Sequence, residues 1–349
     1  MDKKTTILVV VWFAVLLLLI SSIVLTLGLR RQKNSLNRKV KLYVYGQGLL
    51  ELDLEEYLVG VVAAEMPASF HPEALKSQAI AARTYTLKRL EKIQKNGSQY
   101  PEGADFSNLP QEGQAWLSKE ARRQNWQSDY NLYERKITEA VNTTKNQVLV
   151  YNGVLAEALY YSTAGPYTED SDAVFNSYYP YLIAKPNPYD KHSPRYTDTK
   201  TFNIVEIEKA LNVNLEAKNL TLARSVPQGP ETFLASTLLE PWSNLDQTNS
   251  SIKILSRNRS GRVEKMQIGS RIFNGVDVRL KLGLRSTNFT FQVNQNGNYI
   301  TFTTYGYGHG VGMSQYGADG MAKEGFGYKE ILNFYYPGTS IVSANKIWE

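Results

Sequence analysis

Residues 53–89 read DLEEYLVGVVAAEMPASFHPEALKSQAIAARTYTLKR, and their pattern decides the expected fold. Asp53 stands where a helix N-cap belongs, with Glu56 three positions on to complete a capping box. Leu54, Tyr57, Leu58, Val61 and Val62 recur at the spacing of an apolar helix face. Glu65 falls on the last turn, and Met66-Pro67 stops the helix because a residue before proline is pushed out of the α region. A second helix begins near Pro72, a favoured first-turn residue, and carries Leu75, Ala79, Ala82 and Tyr85 or Thr86 along one face. The result is a helical hairpin with a carboxylate at its elbow. There the negative end of the helix dipole and loss of hydration both favour the protonated form. That is how a glutamate becomes a general acid. The plainer alternative is a solvated surface glutamate, the usual fate of a carboxylate.

Upstream, Ile7 to Leu29 carries no charge and is long enough to span a bilayer. A removable signal peptide has a shorter apolar core and a small-residue cleavage site, so an uncleaved anchor is expected. Lys3 and Lys4 precede the run, while Arg30, Arg31, Lys33, Arg38 and Lys39 follow it. By the positive-inside tendency these charges argue against an external domain. The expected division is a cytoplasmic tail (1–6), an anchor (7–29), a basic linker (30–39) and one large domain (40–349).

Downstream, Lys41–Gly46 and Leu49–Leu52 suggest a hairpin turning at GQG, and Tyr130–Thr144 a helix after a helical run from Trp116. VLVY and LAEALYY read as strands joined by Asn152-Gly153, a strong hairpin signal. A helix is expected from about Val205, a hairpin turning at Asn258–Gly261, and a short helix capped by Asn274 and ended by Gly283. FLASTLLEPWSN resists assignment. A last hairpin with Asn296-Gly297 at its tip delivers Gly306, Gly308, Gly310 and Gly312 around His309, glycines that let backbone pass close to a ligand or to the helix pair.

The formal charge of +6 suits anionic surfaces, cell-wall polymer or lipid headgroups. No helix-turn-helix, zinc-finger or RNA-binding aromatic pattern is present, so nucleic acid is not expected. Cysteine is absent, which excludes disulfides and thiolate metal sites. His71, His192 and His309 share no ligand spacing, and His-Glu-x-x-His does not occur. Ser314 lacks nucleophile-elbow spacing.

EMP…QAIAARTY on the helices and YGYGHGVGMSQYGADGMA at 305–322, in that order, resemble the catalytic domain of the stage II sporulation protein D family. That family comprises peptidoglycan lytic transglycosylases, and the related domain of amidase-enhancer proteins is similar too. The resemblance covers roughly residues 40–349 and implies an α+β fold of two lobes with a groove between them, outside a bacterial membrane. It implies cleavage of the N-acetylmuramic acid–N-acetylglucosamine bond in peptide-free strands, leaving 1,6-anhydro ends, during engulfment in sporulation. Partners implied are a cell-wall amidase or endopeptidase and a membrane scaffold protein. Relatives carry segments like ADVCDDPTHCQAY and FHSTSGG, suited to zinc. Here Ser107, Glu112, Gly113 and Tyr161 occupy those positions, so neither metal nor other cofactor is expected.

The resemblance makes Glu65 the catalyst, giving its proton to the leaving oxygen and then taking one from the C6 hydroxyl. The candidate substrate-binding residues are Arg83, Tyr85, Ser162, Thr163, Tyr189, Lys191, His309, Ser314 and Gln315. Arg83 binds a sugar substituent or holds Glu65 in place, at long range because a direct ion pair would lower the acid's pKa. Tyr189 and Lys191 contact glycan or stand exposed on an irregular loop. His309 orients Glu65, bonds the sugar or satisfies buried backbone. Two other functions remain open: a non-catalytic glycan-binding enhancer of an amidase, and a membrane-anchored scaffold.

Overall fold

In chain order, β1 (Lys39–Val44) and β2 (Gly48–Asp53) form the expected hairpin, with Val40, Leu42 and Val44 turned inward. The computed structural model describes residues 38–215, 251–294 and 296–347, together with Trp12. The rest of the apolar run 7–29, the linker ahead of residue 38 and FLASTLLEPWSN lie outside them. Among the described residues no helix is long and apolar enough to cross a membrane.

Helix α1 (Leu54–Glu65) starts at Asp53, but the capping box does not form. The Asp53 side chain makes no cap bond and pairs instead with Lys39 across the hairpin, at 3.1 Å. Burial extends beyond the expected face to Val59, Gly60 and Ala63, because α1 is covered on several sides. Met66, extended at φ −129°, ends it as the Met-Pro pair requires. Helix α2 (Pro72–Asn96) then runs through the middle of the larger core, burying Ala74, Leu75, Ala79, Ile80, Ala81 and Ala82. Those small side chains let neighbouring elements lie close.

A short β3 (Phe106–Ser107) joins β1 in parallel. Helix α3 (Lys119–Trp126) begins later than expected, where Ser118 accepts the Ala121 N–H, and α4 (Tyr130–Thr143) follows. Strand β4 (Gln147–Tyr151) turns back through Asn152 and Gly153, at φ 49° and 79°, into β5 (Val154–Leu155). The expected long second strand stops there. Tyr160–Tyr161 is a separate strand, β6, and α5 (Asp172–Phe175) a single turn.

The chain next builds a second core. It comprises β7 (Thr197–Asn203), α6 (Ile204–Leu211), the hairpin of β8 (Ile252–Arg257) and β9 (Val263–Ile268), β10 (Arg271–Asn274), α7 (Gly275–Leu282), β11 (Phe289–Val293) and β12 (Tyr299–Tyr305). Both expected caps are present on α7: Asn274 accepts the Asp277 N–H at 2.7 Å, and Gly283 adopts φ 60°. The sheets are β11-β12-β7 and β10-β9-β8, all antiparallel. The chain then returns to the first core through β13 (Met313–Ser314), parallel to β6, then α8 (Gln315–Lys323), α9 (Tyr328–Tyr335) and β14 (Ser340–Ser343) beside β4.

The fold is mixed α/β with two hydrophobic cores, one drawn from Val40–Leu182 and Val311–Ala344, the other from Ile207–Phe302. Arg262, 2% exposed, ties them: its guanidinium donates to Ser286 Oγ at 2.8 Å and to Ala164 O at 3.1 Å. The glycine loop also serves packing. A Cβ on Gly312 would lie 2.1 Å from Leu159 O, so its close neighbour is the strand leading to β6, not the helix pair.

Arg83 departs most from expectation. It is fully buried, and its Nε and Nη2 bind Glu55 at 3.1 and 2.6 Å, while Val141 O and Gln147 O accept at 3.1 and 3.3 Å. It pins α2 to α1, α4 and β4 instead of reaching Glu65. Removing one member of such a pair strands a charge and its carbonyls, at a cost of about 3–5 kcal/mol. Arg83→Ala should lower the unfolding free energy by about that amount in urea denaturation. A loss under about 1 kcal/mol, the scale of an exposed pair, would contradict the structural role.

Candidate active site

Glu65 ends α1, half-buried, with its Oε1 accepting the Ala115 N–H at 2.7 Å. The segment that delivers this donor crosses α1 at Gly60. There the Trp116 indole occupies the space of a side chain: a Cβ would sit 2.1 Å from its Nε1. Leu117 N–H also donates to Gly60 O, at 3.1 Å. Glycine in mid-helix costs about 1 kcal/mol against alanine, and here it lets a second backbone lie across the helix.

Three phenols lie within electrostatic reach of the carboxylate. Tyr160 donates to Gln114 Oε1 at 2.8 Å, and Gln114 Nε2 donates to Thr86 Oγ1 at 2.9 Å and to Tyr57 OH at 3.4 Å. Burial raises the pKa of Tyr57, Tyr85 and Tyr160, and the Glu65 charge contributes at each, so all three remain neutral hydroxyls. Gln315, 5% exposed, presents its amide to Glu65, while its Nε2 has no well-formed hydrogen bond.

Burial is the largest influence on Glu65 and raises its pKa, with Ala115 and Gln315 pulling the other way. No charged group among the described residues is a cause of the shift. This is a lone desolvated acid.

Of the candidate residues, the structure brings Tyr85 and Gln315 to Glu65. Arg83 binds Glu55. Thr163 is buried and bonds Ser193 Oγ at 2.8 Å, while Ser162 is half-buried, its carbonyl accepting the Tyr316 N–H at 3.0 Å. Ser314 is a buried N-cap for α8, accepting from Gly317 N–H and donating to Asp190 Oδ2 at 3.0 Å. Tyr189 packs edge-on against Phe326 and Phe334. Lys191 is exposed and makes no ion pair with a described residue. Tyr57 packs in the larger core, and Tyr160 and Tyr189 pack against it.

His309 satisfies buried backbone. Val311 N–H donates to its Nδ1 at 3.1 Å, so the proton sits on Nε2, which donates to Tyr160 O at 3.0 Å. The residues missed in the sequence are Gln114, Ala115 and Tyr160, which sit beside positions noted only for lacking metal ligands. Asp190 was missed too: fully buried, it accepts from Ala164 N–H at 2.5 Å and orders the 162–165 loop.

A zinc ion does not fit the residues present. Ser107 Oγ accepts the Leu109 N–H, Glu112 accepts Tyr45 OH, and burial pushes the Tyr161 phenol well up from its ordinary pKa. Among the described residues no group of three or more His, Cys, Asp or Glu gathers.

A mixed α/β domain holding one shielded glutamate at a helical elbow is the class these features define. The family described as Stage II sporulation protein matches residues 47–151, the stretch containing that elbow. Stage II sporulation protein D of Bacillus subtilis (strain 168) is 38% identical over 299 residues, 86% of this chain and 77% of that protein. The Bacillus amyloliquefaciens protein of the same name is 37% identical over 84% of this chain and 75% of its own. The amidase enhancer of Bacillus subtilis (strain 168) is 31% identical over 82% of this chain but 40% of that longer protein. The chain belongs to the stage II sporulation protein D family.

Burial pushes the pKa of His309 down to about 4. The unfolded histidine titrates near 6.5, so between these values only the unfolded chain takes the proton. Stability from His309 is therefore complete above about pH 6.5 and lost as pH falls toward 4. Asp190 works the other way: burial raises its pKa to about 6, so its contribution declines as pH rises from about 4 to 6. Comparing wild type with His309→Gln separates the two. The urea midpoint should fall less in the variant between pH 7 and pH 5, and an equal fall would remove His309 from the account.

Proposed function

We propose that this protein is a lytic transglycosylase that cleaves peptidoglycan glycan strands at the N-acetylmuramic acid–N-acetylglucosamine bond, from outside the cell membrane. The observation that carries the reading is the setting of Glu65: a carboxyl at the helical elbow whose pKa burial raises, with no charged group among the causes. Hydrolysis by the usual glycosidase route needs a second carboxylate to attack or to activate water. Intramolecular closure of the C6 oxygen on C1 needs one. Glu65 protonates the leaving oxygen, and the carboxylate so formed accepts the C6 hydroxyl proton. The Ala115 N–H and the Gln315 amide stabilise it while it is charged.

Membership of a sporulation family supports a role in remodelling the wall during engulfment, with residues 7–29 as the anchor. Amidase enhancer is the printed name of one relative, which supports a cell-wall amidase as partner. The same relative favours a second reading, a glycan-binding enhancer that cuts nothing itself.

Incubation with peptide-free strands distinguishes them. Wild type should release products one water lighter than hydrolytic ones, and Glu65→Gln should lose roughly 10²-fold or more of the rate while keeping its fold and its binding. Residual activity above about a tenth of wild type would overturn the assignment of Glu65. Intact strands that remain bound would establish the enhancer reading.

A further inference from the structure

Gln315 and Asp319 stand four residues apart on α8, so they share one side of the helix, about 6 Å apart along its axis. Gln315 offers its amide to Glu65. Asp319 is fully buried and takes hold of the chain that follows Glu65. That elbow runs from Met66 to His71, and at its end the His71 N–H donates to Asp319 Oδ1 at 2.7 Å. The other oxygen, Oδ2, accepts from His192 Nε2 at 3.0 Å and from the Lys323 ammonium at 2.5 Å. Charge-assisted bonds from three donors fix the direction of a carboxylate as well as its distance.

The same helix steadies the elbow a second time. The Tyr316 ring meets Phe70 edge-on, with centroids 4.8 Å apart, and lies 5.5 Å from the His192 ring. Lys136 of α4 donates to Ser69 O at 3.1 Å. Helix α8 also lies flush against the segment leading to His192, where a Cβ on Gly320 would sit 1.9 Å from Tyr189 O. His71 is in addition the N-cap of α2, its Nδ1 accepting the Glu73 N–H at 3.3 Å. The Asp319 bond to its backbone therefore sets where α2 begins relative to α8.

We propose that Asp319 is a positioning residue of the candidate site: it holds the elbow from the face of α8 that carries Gln315, and so sets the separation between Glu65 and its amide donor. One helix thus gives Glu65 a donor and gives the turn just after Glu65 an acceptor, fixing the acid from two sides. Asp319 acts through His71 and Gln315, not on the reacting atoms. The inference deepens the lytic reading and rests on it only for what Glu65 does once placed.

The test follows the Glu65 carboxyl itself, by NMR titration of its side chain in the full-length protein, with Glu65→Gln identifying the signal. This readout needs no turnover. Gln315 favours the charged form, so Gln315→Ala should raise the Glu65 midpoint. Asp319→Ala should raise it too, and should add nothing in the Gln315→Ala background, because residues acting through one contact are not additive. Asp319→Asn keeps an oxygen for the His71 N–H and should restore the midpoint, while Lys323, its side chain 57% exposed, turns to solvent. An unmoved or lowered midpoint in Asp319→Ala, an additive double variant, or an asparagine variant matching the alanine one would overturn the assignment. Should Asp319→Ala not fold, Tyr316→Leu, at a half-buried position, loosens the same elbow contact and must raise the midpoint in its place. Kinetics on peptide-free strands give a second readout. There Asp319→Ala should lower kcat about tenfold with KM unchanged, since misplacement by about 1 Å costs up to 10²-fold. Wild type that leaves the strands intact would overturn the lytic reading and leave the titration to decide Asp319. An enzyme that cuts, but whose alanine variant titrates like wild type, would overturn Asp319 alone.

Discussion

The buried Arg83 guanidinium holds the larger core in register. It bonds α1 through Glu55, α4 through Val141 O and β4 through Gln147 O. A bidentate fork fixes orientation as well as distance, which an ammonium does not. With α1 locked against α2 in this way, the position of Glu65 at its far end follows from helix geometry. The ion pair does not reach Glu65, where a cation would favour the charged form. The same helix therefore carries one glutamate in an ion pair and another whose pKa is raised by burial.

The polar groups near the site divide by what surrounds them. Around Glu65 are neutral phenols and amides, which tolerate both the protonated and the ionised acid. Asp190 and His309 are groups whose pKa values burial shifts in opposite directions, the carboxyl up to about 6 and the imidazole down to about 4, and each has hydrogen-bond partners that fix a loop.

The helical hairpin, its stop at Met66-Pro67, the Asn-Gly turns and the cap of α7 were all legible, because each depends on local backbone preferences. Glu65 was legible for the same reason, as the last residue before the break. What surrounds Glu65 was not. Gln114 and Ala115 come from an irregular segment with no periodicity, and their place is set by a glycine–tryptophan contact between positions far apart in the chain. Asp53 shows the limit from the other side: its capping pattern was correct as local chemistry, yet Lys39 across the hairpin outcompeted it. Arg83 and His309 invited functional readings because polar residues beside a motif do. Their burial, invisible in sequence, makes them internal braces.

The smaller core interrupts the larger one, and its two ends, Thr197 and Tyr305, are paired neighbours in the β7–β12 ladder. Ser162 and Ser314, which meet across the β6–β13 junction, are 152 positions apart. Closing a loop of that length in an unfolded chain carries an entropy cost that grows with the logarithm of its length. An insert that folds first brings its own ends together and shortens the loop that remains to be closed. The smaller core thus sits within the larger as a clasp, its two ends held side by side where the chain leaves and re-enters.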